Sequence, residues 1–331
     1  MISRIYTFLI IAAACIILFL THLYMFLYTP THPQSPIQIK ITQGSSAWEI
    51  AKKLEEYTII TDAPMFMALA IGTGKRSYLQ AGTYVFEGEH LPPDIINILF
   101  KGRTLRYRIT IPEGSNLFNI GEIVSSTTLT SKIDFIEIAQ SKDATVFFNI
   151  NAPTMEGFLY PDTYFLAANM TPLEIMAKMK DRFNRIYTPD MQKRASKLGL
   201  STEKVITLAS IIEKEAVDPG EKPVISSVFH NRLKKKMHLQ SDPTAIYGID
   251  GFNRNIRHRD LLRDTPYNTY KYKGLPPGPI CSPDKDSIAA ALWPDKTPYL
   301  YFVSRGKGKH YFSKTLREHN RAIIRSNKRR R

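Results

Sequence analysis

The chain has 331 residues, room for about two domains, and 43% of them are hydrophobic, enough to build cores. A charged fraction of 23% excludes a wholly disordered polypeptide. Lys plus Arg number 45 against 30 Asp plus Glu, a formal charge of +15 that favours an anionic partner: nucleic acid, acidic lipid headgroups or an acidic polymer.

Cys15 and Cys281 cannot build a disulfide framework or a cysteine zinc site, and the eight histidines show no His-Glu-x-x-His spacing. No metal and no cofactor is therefore expected. Ile5 to Tyr28 carries no charge, and about 24 residues of helix cross a bilayer core of roughly 30 Å. Arg4 precedes this run and no Lys or Arg follows until Lys40, which predicts a cytoplasmic N-terminus with the remainder outside. The apolar region of a cleaved signal peptide is shorter, about 7–15 residues. Ala12 to Cys15 fits a lipoprotein cleavage box only loosely, so an uncleaved single-pass anchor is the better reading.

Residues 31–36, with Pro33 and Pro36, read as an extended linker. A weak internal repeat follows. Ile39 to Ala51 aligns with Ile109 to Gly121, matching Gly44 to Gly114 and Trp48 to Phe118. Each copy reads as a short strand, a Gly-Ser turn and an amphipathic helix. The first copy continues through a helical pattern at Ala63–Ile71 to a returning strand at Ala81–Phe86. Strand–helix–helix–strand resembles a divergent LysM-type peptidoglycan-binding module over 37–103; the alternative is a small α+β spacer. Residues 104–155 read as a second partial copy that connects to the rest.

The remaining chain, 156–331, is organised around Thr207-Leu-Ala-Ser-Ile-Ile-Glu-Lys-Glu-Ala216. Val205, Leu208, Ala209, Ile212 and Ala216 form an apolar stripe, Ser201 caps the start, and Asp218-Pro219-Gly220 stops the helix. Glu213 and Glu215 flank the stripe on opposite sides. A carboxyl so placed loses solvation and its pKa rises, as a general acid near neutral pH requires. Taken alone, a Glu-Lys-Glu is more often a solvated helix face. A second helix is expected over Lys222–Lys236, and then Leu239 to Gly248 concentrates Gln240, Ser241, Asp242, Thr244 and Tyr247 in one turn-rich span. The Ser-x-x-Lys matches at Ser201 and Ser282 lack the Ser-Asp-Asn and Lys-Thr-Gly companions of penicillin-interacting enzymes, and Gly72-Thr-Gly-Lys75 lacks P-loop spacing. Tyrosines concentrated in the last third suit sugar faces as well as a core, and the basic tail 328–331 is expected to fray.

Glu156-Gly-Phe-Leu-Tyr-Pro-Asp-Thr-Tyr164, Ala209-Ser-Ile-Ile-Glu-Lys-Glu215, Asn231-Arg-Leu233, Leu239-Gln-Ser-Asp-Pro-Thr-Ala-Ile-Tyr-Gly248, Tyr267-Asn-Thr-Tyr270 and Gly274-Leu-Pro-Pro-Gly-Pro-Ile280 resemble the YceG-like (MltG) family of endolytic murein transglycosylases. The resemblance spans nearly the whole chain. It implies an α+β fold: a single N-terminal transmembrane helix, a small LysM-like α+β module and a larger α+β catalytic domain. It also implies a lyase of the cytoplasmic (inner) membrane that cuts nascent peptidoglycan strands internally between N-acetylmuramic acid and N-acetylglucosamine. The products carry 1,6-anhydro ends, strand elongation stops, and the partners are glycan strands and peptidoglycan synthases (penicillin-binding proteins).

On this alignment Glu215 is the catalytic acid and base, with Glu213, Gln240, Asp242 and Tyr247 as candidates for orienting substrate. Lytic transglycosylases often place Ser or Thr after the glutamate; Ala216 stands there here, so that position offers no hydroxyl. The competing readings are a non-catalytic, membrane-tethered peptidoglycan-binding protein and a lysozyme-type hydrolase with Asp242 or Asp260 as its second carboxylate.

Overall fold

A computed structural model of the full chain describes every residue except 1, 34, 128, 169, 250, 251, 253 and 331. Its architecture mixes helices with strands confined, among the described residues, to two-stranded sheets. The chain divides into two compact units: one holds 1–107 and 165–169, the other 108–164 and 170–331.

In the first unit, α1 (Ile2–Tyr28) is long and apolar enough from Tyr6 to Tyr28 to cross a membrane. Its last turns have another task. Phe26 is buried, with Leu23 and Leu27 packed beside it, in the core of the small module that follows, and His22 Nε2 lies 3.1 Å from Asp62 Oδ2. From Tyr6 to Thr21 the apolar residues ahead of these turns make about 24 Å of helix at 1.5 Å each, somewhat short of a hydrocarbon core's roughly 30 Å.

The module itself is β1 (Ile37–Ile41), α2 (Ala47–Glu56), α3 (Ala63–Gly72) and β2 (Gly82–Phe86). The strands pair antiparallel, Ile39 opposite Tyr84. Alternation puts Ile39 and Ile41 in the core and Lys40 outside, as period two requires. Gly44, at φ +86, makes the turn into α2, where Ser46 and Glu49 form a reciprocal cap. α4 (Pro92–Phe100) closes the core with Ile95, Ile96 and Leu99. The segment expected to be an extended linker is tied at its start: Thr31 pairs with His90 through bonds of 3.0 and 3.2 Å.

β3 (Arg106–Thr110) and β4 (Thr163–Ala167) pair with each other and carry the chain between the units. Between them run α5 (Leu117–Ser125), α6 (Lys132–Gln140) and α7 (Lys142–Phe147). The second copy of the repeat is thus closed by its own returning strand, further along than the aligned stretch. Its Gly114 has φ +71, and Asn116 with Asn119 repeats the reciprocal cap.

The second unit continues with α8 (Pro172–Ile186), α9 (Pro189–Lys197), α10 (Thr202–Glu215), α11 (Lys222–Lys234), α12 (Asp242–Ile246), α13 (His258–Leu261) and α14 (Lys285–Leu292). It ends in a hairpin of β5 (Tyr301–Gly306) and β6 (Lys309–Ser313), then α15 (Leu316–Arg330). The tail expected to fray is helical through Arg330; its last residue lies outside the described residues.

The central helix departs from the one-sided stripe read in the sequence. Every residue of α10 from Val205 to Ile212 is buried, so the helix is enclosed on all sides over two turns. Its hydroxyls are used inward: Ser210 Oγ accepts from Ile280 N at 3.0 Å and donates to Thr207 O at 2.8 Å. Gly157 explains the Glu156 segment's need for glycine. At φ +82, a Cβ there would meet Pro279 Cβ at 2.5 Å and Ile206 Cγ2 at 2.9 Å, so these three stretches converge where no side chain fits.

Candidate active site

Glu215 is the last residue of α10, where the buried cylinder gives way to a cleft. The residue is half-buried. Burial pushes its carboxyl up to about 7, and the nearby negative charge of Asp242 pushes the same way. A hydrogen bond from Ser241 and the positive charge of Arg232 pull against them. Such a group is shared between its acid and base forms near neutral pH, as a proton donor that must later accept requires.

The loop before α12 holds the partners. Ser241 Oγ donates to Glu215 Oε1 at 2.5 Å. The hydroxyl that Ala216 lacks therefore comes from another element: Ser241, which the sequence placed in the polar loop but not among the candidate site residues. It is itself buried and fixed: its N–H donates to Thr269 Oγ1 at 3.0 Å, and Thr244 Oγ1 donates to its carbonyl at 2.6 Å. Gln240 sits at φ +49, an uncommon conformation for a non-glycine residue, and its N–H donates to Thr269 O at 3.2 Å. Arg232 of α11 donates to Leu300 O at 2.6 Å and to Leu239 O at 2.8 Å, tying the loop to the hairpin. Asp242, exposed, accepts a short hydrogen bond from the Tyr270 hydroxyl.

Glu215, Arg232, Gln240, Asp242 and Tyr270, with Phe302 to Ser304 of the hairpin and His310 and His319, line a pocket of about 390 Å³. Of the residues singled out in the sequence, Glu215, Gln240 and Asp242 meet here.

Glu213 and Tyr247 are elsewhere. Glu213 Oε2 accepts from Ser287 Oγ at 2.6 Å, Lys222 Nζ at 3.2 Å and Asp284 N at 3.2 Å. It belongs to an ion cluster joining α10, α11 and α14, with Lys222 Nζ 2.6 Å from Asp284 Oδ2. Burial, then the neighbouring Asp284, raises the Glu213 carboxyl. Burial works against the charge of Lys222, but the two carboxylates outweigh it and raise its pKa. Glu113, Glu213 and Asp284 bring ligand atoms within 4.8 Å of one another, yet the Lys222 ammonium already answers that charge.

Tyr247 donates to Glu156 Oε2 at 2.9 Å, and Leu117 N donates to the same oxygen at 3.1 Å. Glu156 is fully enclosed, and burial pushes its carboxyl up to about 7. Asp260, a candidate second carboxylate, is held by Arg254 at 2.6 and 2.7 Å and by Arg257 N at 2.8 Å. It caps α13 and lines no part of the Glu215 pocket.

The model of the YceG-like family matches residues 39–325. The chain belongs to the YceG-like family. It is 36% identical over 305 residues to a Bacillus subtilis protein named endolytic murein transglycosylase, covering 87% of this chain and 84% of that one. A Streptococcus pneumoniae protein of the same name is 28% identical; 87% of this chain matches 58% of its length. The fold is similar to a crystal structure of a yceG-like protein from Listeria monocytogenes, at TM-score 0.61 and 33% identity, over 87% of this chain and 99% of that chain. The Glu215 pocket draws on four of the stretches that carry the resemblance, those holding Glu215, Arg232, Gln240 with Asp242, and Tyr270.

Proposed function

We propose that this chain is a membrane-anchored lytic transglycosylase that cleaves peptidoglycan strands internally. The observation that carries the reading is Glu215: a carboxyl raised to about 7, with one oxygen held by Ser241, at an open pocket of about 390 Å³. Glu215 in its acid form donates a proton to the glycosidic oxygen as the bond from that oxygen to C1 of N-acetylmuramic acid breaks. The resulting carboxylate takes the proton of the same sugar's C6 hydroxyl, whose oxygen closes onto C1 and leaves a 1,6-anhydro end. Because the nucleophile is intramolecular, its effective concentration is high, and the second carboxylate that activates water in an inverting hydrolase has no task.

Gln240 and Asp242 orient the sugar within the pocket. Glu213 acts from a distance by anchoring the end of α10, and Tyr247 by fixing α12. The anchor is a single pass with the N-terminus in the cytoplasm and residues beyond about 30 outside. Residues 37–103 form a LysM-like module, 104–155 its partial second copy and connector, and 156–331 the catalytic domain. A strand terminator of this kind works on the product of peptidoglycan synthases, which makes them its partners.

Asp242 in the same pocket supports a second reading, hydrolysis with Asp242 as the other carboxylate. Cleavage in water enriched in heavy oxygen separates the two. Lytic closure leaves new ends unlabelled; label in each new reducing end would establish the hydrolase and end the lytic proposal.

A further inference from the structure

A second pocket, about 370 Å³, is lined by Asn116, Phe118, Asn119, Lys214, Tyr247 and Ile280 among others. It shares its dividing wall with the Glu215 pocket. Lys214 and Glu215 are consecutive on α10, and Pro243 of the second pocket follows Asp242 of the first. Successive residues at a helix end project about 100° apart, so one ridge presents Glu215 to one side and Lys214 to the other.

The wall chemistry suits a saccharide. Phe118 and Tyr247 offer ring faces to the apolar side of a pyranose. The side-chain oxygens of Asn116 and Asn119 are consumed in capping α5, at 2.9 and 3.2 Å, which leaves their amide NH₂ groups as donors for sugar oxygens. Lys214 is exposed and its Nζ reaches only the Gly114 carbonyl at 3.4 Å. Among the described residues no carboxylate lies within ion-pairing distance of it.

The site is also held ready. Tyr247 is clamped by its bond to the buried Glu156, and its ring centroid lies 4.5 Å from that of Tyr267. Glu156 Oε2 serves both Tyr247 and Leu117, so one buried carboxyl fixes the two walls that face each other. The repeat supplies the rest. Asn116, Phe118 and Asn119 are the counterparts of Ser46, Trp48 and Glu49, and the same turn in the first copy also lines a pocket, with Thr42, Gly44, Ser45 and Glu49.

We infer that this second pocket is a saccharide subsite, taking an N-acetylated sugar of the same strand whose acidic substituent meets Lys214. It rests on the lytic reading above. An enzyme that cuts within a strand must hold sugars on both sides of the bond, and the shared wall puts this pocket next to the bond being cut.

The test uses the full chain and purified glycan strands of increasing length. Binding is measured in the Glu215→Gln background and turnover in the active enzyme. Lys214→Gln and Phe118→Ala should each weaken binding of long strands by about tenfold, raise KM more than they lower kcat, and reduce the preference for long over the shortest cleaved strands. Phe118→Tyr should restore the preference. Lys214 is exposed, so its variant carries the test if Phe118→Ala does not fold. Unchanged binding of long strands, or an equal loss on short and long strands, would overturn the subsite. Absence of anhydro products from the unmodified enzyme would instead overturn the reading on which it rests.

Discussion

Replacing Glu215 by Gln keeps the side chain's volume and its acceptor for the Ser241 hydroxyl but removes the transferable proton. Loss of one general acid–base group lowers rate by about 10²–10⁴-fold, and here one carboxyl performs both transfers, so the upper end is expected. The same substitution should stabilise the fold in a pH-dependent way. Moving a carboxyl from its ordinary 4.5 to about 7 corresponds to at most about 3 kcal/mol. Partial exposure of Glu215 screens that to about 1–2 kcal/mol.

The sign follows from proton binding. The folded state holds the Glu215 proton more tightly than the unfolded state, so wild-type stability falls as pH rises from 4.5 to about 7. The cost is fully present above that window and absent below it. Thermal unfolding of the full chain should therefore show the Gln variant more stable near pH 8, with the gain vanishing towards pH 4.5. Product analysis from glycan strands should show its activity all but abolished. A Gln variant within tenfold of wild type, or one with no pH-dependent gain in Tm, would refute the assignment of the raised carboxyl to the chemistry.

Ser241→Ala removes the hydrogen bond that lowers the Glu215 pKa, so the alkaline limb of the pH–rate profile should move to higher pH while the rate falls roughly tenfold or more from lost orientation. Asp242→Asn removes the charge that raises it, so that limb should move to lower pH; shifts of the same sign in both variants would contradict the electrostatics described. Lys222→Met leaves Glu213 and Asp284 facing each other without their cation and should cost about 3–5 kcal/mol, read as a fall in Tm; a change below about 1 kcal/mol would mean that the cluster does not secure α10. A reporter active only in the cytoplasm, fused after Arg331, should be silent, whereas activity there would reverse the proposed topology.

The sequence made the ends of elements legible wherever capping chemistry is local. Ser46 with Glu49 and the matched Gly44 and Gly114 announce their turns, and Asp218-Pro219 announces the end of α10. The site was legible as far as single segments allow: Glu215, Gln240 and Asp242 lie in two stretches that draw attention by their own residues. Ser241 lies in the second of these stretches, but its pairing with Glu215 could not be read there, because the partner is 26 residues away. Glu213 and Glu215 are equivalent by pattern, and only the packing of α11 and α14, which brings Lys222, Ser287 and the capping Asp284 to Glu213, separates the anchoring carboxylate from the one in the cleft. The enclosure of α10 on all sides was hidden as well, since Thr207 and Ser210 read as a polar face until their hydroxyls find Glu203 O and Thr207 O.

The most direct test of the central claim is mass analysis of the muropeptides released when the full chain is incubated with purified sacculi. Lytic cleavage predicts new muramic ends one water lighter than hydrolytic ends, formed from within strands and lost in the Glu215→Gln variant. New ends at the hydrolytic mass, or no mass change with wild-type protein, would contradict it.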